Sequence, residues 1–218
     1  MESVDIGVSK SPAGNSVRVR VPPAAPIEDE KAELLAYVVG VALGDGNLSC
    51  PNGRATRLRI SCDTKYPNIA KEMRSALKEL LPLNKVSDVV CKGNCFDISV
   101  YSNKLNSWMP WKVDKGPKKL QAATVPEWIL ENKRFMPNCL RGLIQTDGCM
   151  YTDRGYKMVN FTNNTKILAE DAFEMISTLG FRPTFITTHS EGLEKYTVRL
   201  ARKAEVPQFI EKLHLYKS

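Results

Sequence analysis

The sequence predicts an α+β protein in which two similar repeats each form an antiparallel sheet covered by helices. One observation is the order of helix, two strands, helix and two strands, which occurs twice along the 218 residues. Another is the apolar helix that opens each repeat and ends in Asp-Gly. Because there are only two copies, about one hundred residues apart, we expect them to pair about a pseudo-twofold axis and not to stack as a solenoid.

The composition is that of an ordinary globular protein, with 43% hydrophobic and 25% charged residues. Lys and Arg number 31 against 24 for Asp and Glu, and the formal net charge of +7 favours a polyanionic partner. No apolar run approaches the length of about 20 residues that crosses a bilayer, and the first residues lack a signal-peptide pattern. We therefore expect a soluble, intracellular protein without a membrane partner, whose six cysteines are free thiols.

The first repeat is expected over residues 27–111, after a segment rich in Ser, Pro, Gly and Ala. That segment, residues 1–26, is interpreted as a tail or arm; its VRVRV alternation also suits an edge strand or an arm lying on phosphates. The repeat opens with an acidic helix start followed by an apolar run that must be buried on nearly all sides. A strand in ATRLRISCD, a helix over residues 67–81 and a hairpin turned at Gly93 follow.

The second repeat is expected over residues 137–218, after a linker at residues 112–136. It contains an apolar helix, FMPNCLRGLIQTDG, a hairpin, CMYTDRGYKMVNFT, an amphipathic helix, TKILAEDAFEMISTLG, two strands and a terminal helix, PQFIEKLHL. The Asp-Gly pair at 147–148 follows the pair at 45–46 by 102 residues. This agreement predicts equivalent helices in the two repeats.

Small residues four positions apart predict that the two Asp-Gly helices pack against each other. Gly40 and Gly44 share one face of the first helix, and Gly142 lies at the equivalent place in the second. Without side chains there, the two backbones can approach closely. The helix ends, Asp45 and Asp147, would then be neighbours, and two carboxylates at the negative ends of helix dipoles repel unless a cation lies between them. The pattern therefore predicts a divalent metal site, and oxygen ligands favour magnesium.

A single Asp-Gly after an apolar run is more often only a helix stop and turn signal. Two Asp-Gly pairs at equivalent positions of the two repeats are harder to explain in this way. Helix capping requires neither the same acid in both copies nor the small-residue face before it. The two helices, VVGVALGDG and LRGLIQTDG, make the sequence resemble the LAGLIDADG homing endonucleases of the single-chain, two-motif type. The similarity runs from about residue 33 to residue 215 and contains both motif copies, at 39–46 and 141–148.

The resemblance implies that the motif helices form the interface between the repeats and that each sheet lies as a saddle in the DNA major groove. Asp45 and Asp147 would bind catalytic Mg²⁺ or another divalent cation, with the backbone carbonyls of Gly44 and Thr146 as further ligands. The family often adds a basic residue near the scissile phosphates, for which Lys118 is the best candidate and Lys119 the next. A solvated loop lysine is the alternative interpretation of either residue.

The chain departs from the family pattern at two positions. The first acid of the family name is replaced by Leu43 and Gln145, at a place that does not bind the metal. The family's polar residue at the end of the second strand falls near Cys62 in the first copy and near Thr162 or Asn163 in the second. A cysteine is unusual there, which leaves the role of this position open.

Alternation along the strands predicts which side chains face away from the helices. Apolar residues such as Leu58 and Val159 must pack against the helices. The residues that alternate with them along each strand therefore form the opposite, polar face of the sheet. Arg, Asn, Ser and Thr can contact base edges, whereas a merely solvated face would contain more Glu and Lys. With two arginines at hairpin tips, the predicted DNA-binding residues are Arg54, Arg57, Arg59, Ser61, Asp97, Ser99, Tyr101, Arg154, Asn160, Thr162, Lys195, Thr197 and Arg199.

We interpret the chain as a monomeric, magnesium-dependent, site-specific endonuclease of double-stranded DNA, of the intron-homing kind. The alternative is an RNA maturase or a DNA-binding regulator of the same fold, which can dispense with the acids. Retention of both Asp45 and Asp147 favours cleavage. A nucleotide-binding enzyme is excluded because neither G-x-G-x-x-G nor G-x-x-x-x-G-K-[ST] is present.

Overall fold

The computed structural model describes residues 24–91, 93–113, 115–190 and 192–216. The expected tail lies outside this part of the chain except for its last three residues. The helices are α1 (Asp29–Asp45), α2 (Pro67–Leu80), α3 (Leu105–Trp108), α4 (Glu127–Leu130), α5 (Met136–Asp147), α6 (Lys166–Thr178) and α7 (Glu205–Lys212). The strands are β1 (Gly46–Ser49), β2 (Arg57–Asp63), β3 (Val86–Val90), β4 (Cys95–Tyr101), β5 (Gly148–Asp153), β6 (Tyr156–Asn163), β7 (Thr184–Ser190) and β8 (Leu193–Leu200). None of the described helices has the length and apolar character to span a lipid bilayer.

The strands form two antiparallel four-stranded sheets of matching topology. The strand order is β1-β2-β4-β3 in the first sheet and β5-β6-β8-β7 in the second. Their registers correspond, since Gly46 pairs with Ile60 and Gly148 pairs with Phe161, each glycine directly after a motif Asp. The predicted α+β class with two αββαββ repeats is confirmed.

One face of each sheet is covered by an amphipathic helix. In the first repeat α2 buries Ile69, Met73 and Leu77, which share one helical face at intervals of four residues. In the second repeat α6 buries Leu168 and Met175 and contacts β6 and β8. Burying each such Leu or Met side chain stabilises the fold by about 1.5–3 kcal/mol. The helices therefore hold one face of each sheet in the core and leave the opposite face open.

The two motif helices, α1 and α5, lie side by side between the repeats. Every residue of α1 from Leu35 to Leu43 is buried, as its continuous apolar run predicts. Both helices end where Asp is followed by an extended glycine, with φ −82° and ψ 148° at Gly46 and φ −104° and ψ 171° at Gly148. The chain therefore passes directly from each motif helix into the first strand of its sheet.

A buried polar network also joins the repeats. The Tyr37 hydroxyl of α1 donates to Gln145 Oε1 at 2.8 Å, and Gln145 Nε2 donates to Glu72 Oε2 of α2 at 2.9 Å. Glu72 also accepts from the Tyr216 hydroxyl at 2.5 Å and lies 3.3 Å from Arg141 Nε. Burial raises the pKa of Tyr37, so its hydroxyl remains a donor. Because these contacts are directional, the network sets the position of α5 against α1 and α2.

The linker before the second repeat is anchored by a buried carboxylate. Asp171 of α6 accepts hydrogen bonds from the Thr124 hydroxyl and, at 2.8 Å, from the backbone N–H of Val125. Burial raises the pKa of Asp171, and the two hydrogen bonds act in the opposite sense. Helix α5 begins at Met136, one residue before the boundary that the sequence predicts for the second repeat. The linker therefore approaches the motif helices from a defined point on α6.

Candidate active site and nucleic-acid surface

The motif helices touch through their backbones at two glycines. A Cβ atom added to Gly40 would lie 2.2 Å from the carbonyl oxygen of Cys139. A Cβ added to Gly142 would lie 2.5 Å from the carbonyl oxygen of Tyr37 and 2.6 Å from the backbone nitrogen of Val41. No side chain fits at such distances, so glycine is what allows the two helices to pack this closely.

The contact continues to the C-terminal ends of the helices. A Cβ added to Gly44 would lie 2.1 Å from Thr146 Oγ1. Asp45 and Asp147 are the next residues along their helices, so both carboxylates stand at the same end of the interface, Asp45 exposed and Asp147 half-buried. Two acids at the negative ends of two helix dipoles create a negative potential that favours a cation.

A cavity of about 720 Å³ beside Asp45 is lined by Cys62 and Lys65, and two smaller cavities each combine a motif acid with residues of the opposite helix. The first of these smaller cavities has a volume of about 180 Å³, and Asp45 lines it together with Gln145 and Thr146 of the opposite helix. The second has a volume of about 330 Å³, and Asp147 lines it together with Gly44 of the opposite helix. Each smaller cavity therefore combines the acid of one repeat with a residue that precedes the acid of the other. We name them the Asp45 half-site and the Asp147 half-site.

The donors in the half-sites suit a hard cation with an incomplete protein shell. Within the described residues, no group of three or more His, Cys, Asp or Glu is placed to hold a metal ion. A carboxylate and a backbone carbonyl in each half-site leave further positions for water and phosphate oxygens. Mg²⁺ prefers this kind of ligand set, because it keeps several waters and uses one or two carboxylates.

Lys118 places a positive charge beside the Asp147 half-site. Its ammonium donates to the carbonyl oxygens at the end of α1, those of Ala42 at 3.0 Å, Leu43 at 2.7 Å and Gly44 at 2.5 Å. Burial lowers the pKa of Lys118 to about 8, and the charges of the two motif acids act in the opposite direction. Lys118, the candidate for the basic residue that the resemblance implies, thus lies beside the Asp147 half-site and contacts the Gly44 carbonyl.

The two half-sites differ at the end of the second strand of each sheet. In β6, Asn163 Nδ2 donates to Asp147 Oδ2 at 2.8 Å. The matching registers place Cys62 of β2 at the equivalent position in the first repeat. The Cys62 thiol has the carbonyl oxygen of Ile60 as an acceptor at 3.6 Å. An amide meets the acid in one half-site, and the equivalent position in the other half-site carries a thiol.

The open face of the first sheet contains an acid that balances an arginine. Asp97 Oδ2 lies 3.4 Å from a terminal nitrogen of Arg59, and Asp97 Oδ1 accepts from the Ser61 hydroxyl at 2.9 Å. Asp97 is 7% exposed and Ser99 is 5% exposed, because both lie in β4 with a strand on either side. These two residues are therefore far less accessible than the alternation along the strand predicts.

The remaining residues predicted for this face are more accessible. Arg57 Nε donates to the Ser49 hydroxyl at 3.1 Å, and the guanidinium lies 5.8 Å from the centre of the Tyr101 ring. Arg54 is exposed in the loop between β1 and β2. Together these side chains form a basic and aromatic strip along the outer part of the first sheet.

The open face of the second sheet is held together by mostly neutral contacts. Arg199 Nε donates to Asn160 Oδ1 at 3.3 Å, and Asn160 Nδ2 donates to the Tyr151 hydroxyl at the same distance. The hydroxyls of Thr162 and Thr197 lie 2.9 Å apart in a hydrogen bond. Arg199 is thus oriented by a neutral amide.

The second face also carries two exposed basic residues at its ends. Lys195 is exposed in β8, and Arg154 is exposed at the tip of the hairpin between β5 and β6. Arg154 has a φ of 48° and Gly155 a φ of 82°, the left-handed pair of a tight two-residue hairpin turn. This turn projects the arginine beyond the end of the sheet.

Sequence reasoning missed the polar groups that act between elements. The network of Tyr37, Glu72 and Tyr216, and the anchoring carboxylate of Asp171, involve residues far apart in sequence. The one feature of the sequence that indicated such a network was Tyr37, whose hydroxyl lies inside an otherwise apolar helix. Its partners depend on how the helices pack, which no local pattern contains.

Comparisons with known proteins agree on the fold. Residues 135–214 match the family model of the LAGLIDADG-like domain. A mesophilic variant of the homing endonuclease I-DmoI is 21% identical, with 86% of this chain and 99% of that chain covered and a TM-score of 0.61. I-DmoI in complex with DNA and Ca is also 21% identical, covering 85% and 91%, with a TM-score of 0.60. Full-length WhiA from Thermatoga maritima is 14% identical, covering 91% and 59%, with a TM-score of 0.60. No curated protein sequence matches the chain.

The fold and the paired acids define a class of protein: two α+β repeats in one chain, joined through two helices whose ends carry the acids. Residues 135–214 match the LAGLIDADG-like domain, and the chain as a whole shares the two-repeat fold of I-DmoI. The resemblance that the two motif helices carry in the sequence is therefore confirmed.

Proposed function

We propose that this protein is a site-specific endonuclease that cuts both strands of double-stranded DNA with the help of divalent cations, Mg²⁺ above all. The observation that carries the proposal is the pair of acids, Asp45 and Asp147, at the touching ends of α1 and α5. A protein that only binds nucleic acid has no need of two carboxylates facing a polyanion. Their repulsion of phosphate is useful only where a cation joins the two.

Each half-site would supply one carboxylate and one backbone carbonyl to a cation. Asp45 and the carbonyl of Thr146 would hold one cation, and Asp147 and the carbonyl of Gly44 the other, since these residues line the same cavities. The Gly44 oxygen already accepts from Lys118, which leaves its second lone pair for a cation. When bound, the cations activate water and stabilise the leaving oxygen of a phosphodiester.

Lys118 adds a positive side chain to the site that would hold the cations. Its ammonium is held at the end of α1 by three carbonyls, so it stands near the place where phosphate charge accumulates. Burial lowers the pKa of Lys118 to about 8, and the two motif acids favour its charged form, which donates to the three carbonyls. We assign it the role of the basic residue near the scissile phosphate.

The two open sheet faces position the duplex. Their arginines, amides and hydroxyls offer donors and acceptors to base edges, and a two-stranded ribbon fits the major groove. The neighbour solved as I-DmoI with DNA and Ca binds DNA in this fold. Because one chain contains both half-sites, a single copy suffices for both strands, and we propose a monomer acting on a long, asymmetric site.

Cleavage of a plasmid tests the proposal. The plasmid carries the uninterrupted DNA that flanks the gene, and it is incubated with the protein with and without Mg²⁺. We expect linear product only with the metal, and no linear product from Asp45→Asn or Asp147→Asn, although both variants keep target binding because the groove contacts remain. Asp29→Asn removes an exposed acid at the far end of α1 and serves as the matched control.

An RNA maturase or a DNA-binding regulator of the same fold gives a different result. Either would leave the plasmid intact under all conditions, with and without Mg²⁺. Tight binding of intron RNA in place of duplex DNA would identify the maturase. Double-strand cutting by either Asp→Asn variant would remove the metal assignment.

A further inference from the structure

The hairpin between β3 and β4 brings two cysteines together at one end of the first sheet. Val90 of β3 pairs with Phe96 of β4, and the next residues outward in the same register are Cys91 and Cys95. Residues directly opposite in antiparallel strands have Cα atoms about 4.5–5.5 Å apart, a separation that a disulfide can span. The Cys91 thiol is in hydrogen-bonding range of the Cys95 side chain, so the two sulfurs are neighbours.

The cysteine pair belongs to the open face of the first sheet. Ile98 of β4 is buried in the core, so the alternation along this strand places Cys95 and Asp97 on the opposite face. Cys95 also lines the cavity of about 720 Å³ beside Asp45. Both cysteines are half-buried thiols, so a small molecule in solution can reach them from this face.

The end of the hairpin is anchored to the segment that follows β2. The carbonyl oxygen of Asn94 accepts from the backbone N–H of Thr64 at 3.0 Å and from the Thr64 hydroxyl at 3.2 Å. Cys95, the next residue along the chain, pairs with Asp63 of β2. The backbone of Cys95 is therefore fixed, and closing a disulfide requires mainly rotation of the two cysteine side chains.

Cys91 also connects the hairpin to the charged groups of the first face. Its thiol is in hydrogen-bonding range of Asp97, the carboxylate that lies 3.4 Å from a terminal nitrogen of Arg59. Burial, followed by the charge of Asp97, raises the pKa of Cys91, so this neutral thiol can donate its hydrogen to the carboxylate. A disulfide has no such hydrogen. Oxidation would therefore remove one donor from Asp97 and strengthen its attraction for Arg59.

We propose that Cys91 and Cys95 are a modification site, at which a low-molecular-weight disulfide such as glutathione disulfide produces a reversible cross-link that weakens DNA binding by the first sheet. One cysteine thiolate attacks a sulfur of the small disulfide, which gives a mixed disulfide and releases one small thiolate. The second cysteine attacks the protein sulfur of the mixed disulfide and releases the other small thiolate. Two protein thiols thus lose two electrons and two protons, and one small disulfide becomes two small thiols.

The effect on DNA rests on the proposed function, whereas the cross-link can form whether or not the protein cuts DNA. Peptide mapping follows the cross-link. The reduced protein is treated with glutathione disulfide at about pH 8, where thiolates form more readily, and is then blocked with N-ethylmaleimide. Trypsin cleaves after Lys92, so residues 86–92 and 93–104 become separate peptides with one cysteine each. We expect the two peptides to stay joined until a reductant is added.

Single cysteine variants are the matched controls for the peptide map. Cys91→Ser and Cys95→Ser should each leave the two peptides separate. Cys149→Ser changes an exposed cysteine of the second sheet and should form the cross-link as the wild type does. A wild type whose peptides always separate, or that carries only glutathione adducts on these cysteines, would overturn the modification site.

The effect on DNA is measured with a labelled duplex of random sequence, bound by the reduced and by the cross-linked protein. We expect the cross-link to weaken binding by about two- to fivefold, as one surface ion pair would. Asp97→Asn should form the same cross-link without losing affinity on oxidation, because the carboxylate that attracts Arg59 is gone. Equal binding by the two wild-type forms, or an equal loss in Asp97→Asn, would overturn the effect on DNA.

These outcomes are separable from the fate of the endonuclease proposal. A wild type that never cuts the plasmid refutes the endonuclease, while the peptide map still decides the cross-link and duplex binding still decides its effect. A wild type that cuts the plasmid and never joins the two peptides refutes the modification site alone.

Discussion

The open faces of the two sheets share a strand topology and differ in how they carry charge. In the first sheet Asp97 lies in β4 and balances Arg59 across the strand pair. In the second sheet the equivalent of Asp97 is Thr197, which bonds to a neighbouring hydroxyl, and Arg199 is oriented by the neutral amide of Asn160. The first face therefore has a self-neutralised centre, whereas in the described part of the second face Arg199 is oriented by a neutral amide and not by a carboxylate.

This difference shows that the two repeats share a backbone topology but do not share the polar side chains of their open faces. Strand order and register repeat because they depend on apolar alternation, which both copies retain. The polar residues between the apolar ones are free to diverge, since they do not support the core. A duplex bound across both faces would meet two different surfaces, which suits the asymmetric target that we propose.

We expect the largest loss of stability and cleavage from a substitution that separates the two motif helices and so moves one sheet face relative to the other. Gly142→Leu would place side-chain atoms where the Tyr37 oxygen and Val41 nitrogen already lie, so the motif helices must separate. We expect a loss of about 1–3 kcal/mol in the free energy of unfolding and, for a shift of about 1 Å, a cleavage rate lower by on the order of a hundredfold. Thermal melting and plasmid cleavage measure the two quantities.

The control for this substitution is Glu79→Leu, which adds the same side chain at an exposed position of α2. Its melting temperature and cleavage should change little. A Gly142→Leu variant that melts higher than the wild type and cuts normally would show that the two helices do not meet at this glycine.

The next largest effect is expected on target affinity, where Arg199 and Arg59 can be compared directly. Arg199→Ala should weaken target binding by about 1–3 kcal/mol, since a fully charged, oriented guanidinium is lost. Arg59→Ala should cost less than about 1 kcal/mol, because Asp97 already offsets the charge of Arg59. Filter binding of the labelled target compares them under one salt condition. Equal losses would mean that the contact between Arg59 and Asp97 does not persist on DNA.

Asp97→Asn should make the first face resemble the second. The amide keeps an acceptor for the Ser61 hydroxyl and releases the charge of Arg59. We expect arbitrary duplex to bind severalfold more tightly and the slope of log K against log salt to steepen by about one unit, as for one further phosphate contact. Salt titrations of the variant and the wild type measure this change. An unchanged slope would indicate that Asp97 and Arg59 lie away from the phosphates.

The smallest effect concerns the hairpin tips. Arg154→Asn introduces a residue that adopts a φ of 48° more readily than Arg, so the free energy of unfolding should rise by about 0.5–1 kcal/mol while target affinity falls by about 1 kcal/mol or less. Arg54 has no such backbone conformation, and Arg54→Asn should lose affinity without any gain in stability. Melting curves and binding isotherms of both variants, recorded side by side, check the prediction. A higher melting temperature for Arg54→Asn would contradict it.

Most of the fold could be predicted from local sequence patterns, and the repetition of these patterns showed that the chain has two similar halves. The apolar run of α1, the alternation in β2 and the helical spacing of α2 each identify an element within its own residues. The repetition then predicted the pairing of two equivalent halves. The small-residue spacing also predicted helix contact at Gly40 and Gly142, where the structure has backbone against backbone.

The sequence by itself determined the element order, the two apolar helices and the two acids at their ends. Only the tertiary structure decided that Lys118 lies on the last carbonyls of α1, that Asp97 is buried beside Arg59, and that Asn163 meets Asp147. Apolar burial repeats with the period of a helix or strand and is legible in a short window. A polar contact is set by distance and direction between groups that are far apart in sequence, and packing must bring them together before it exists.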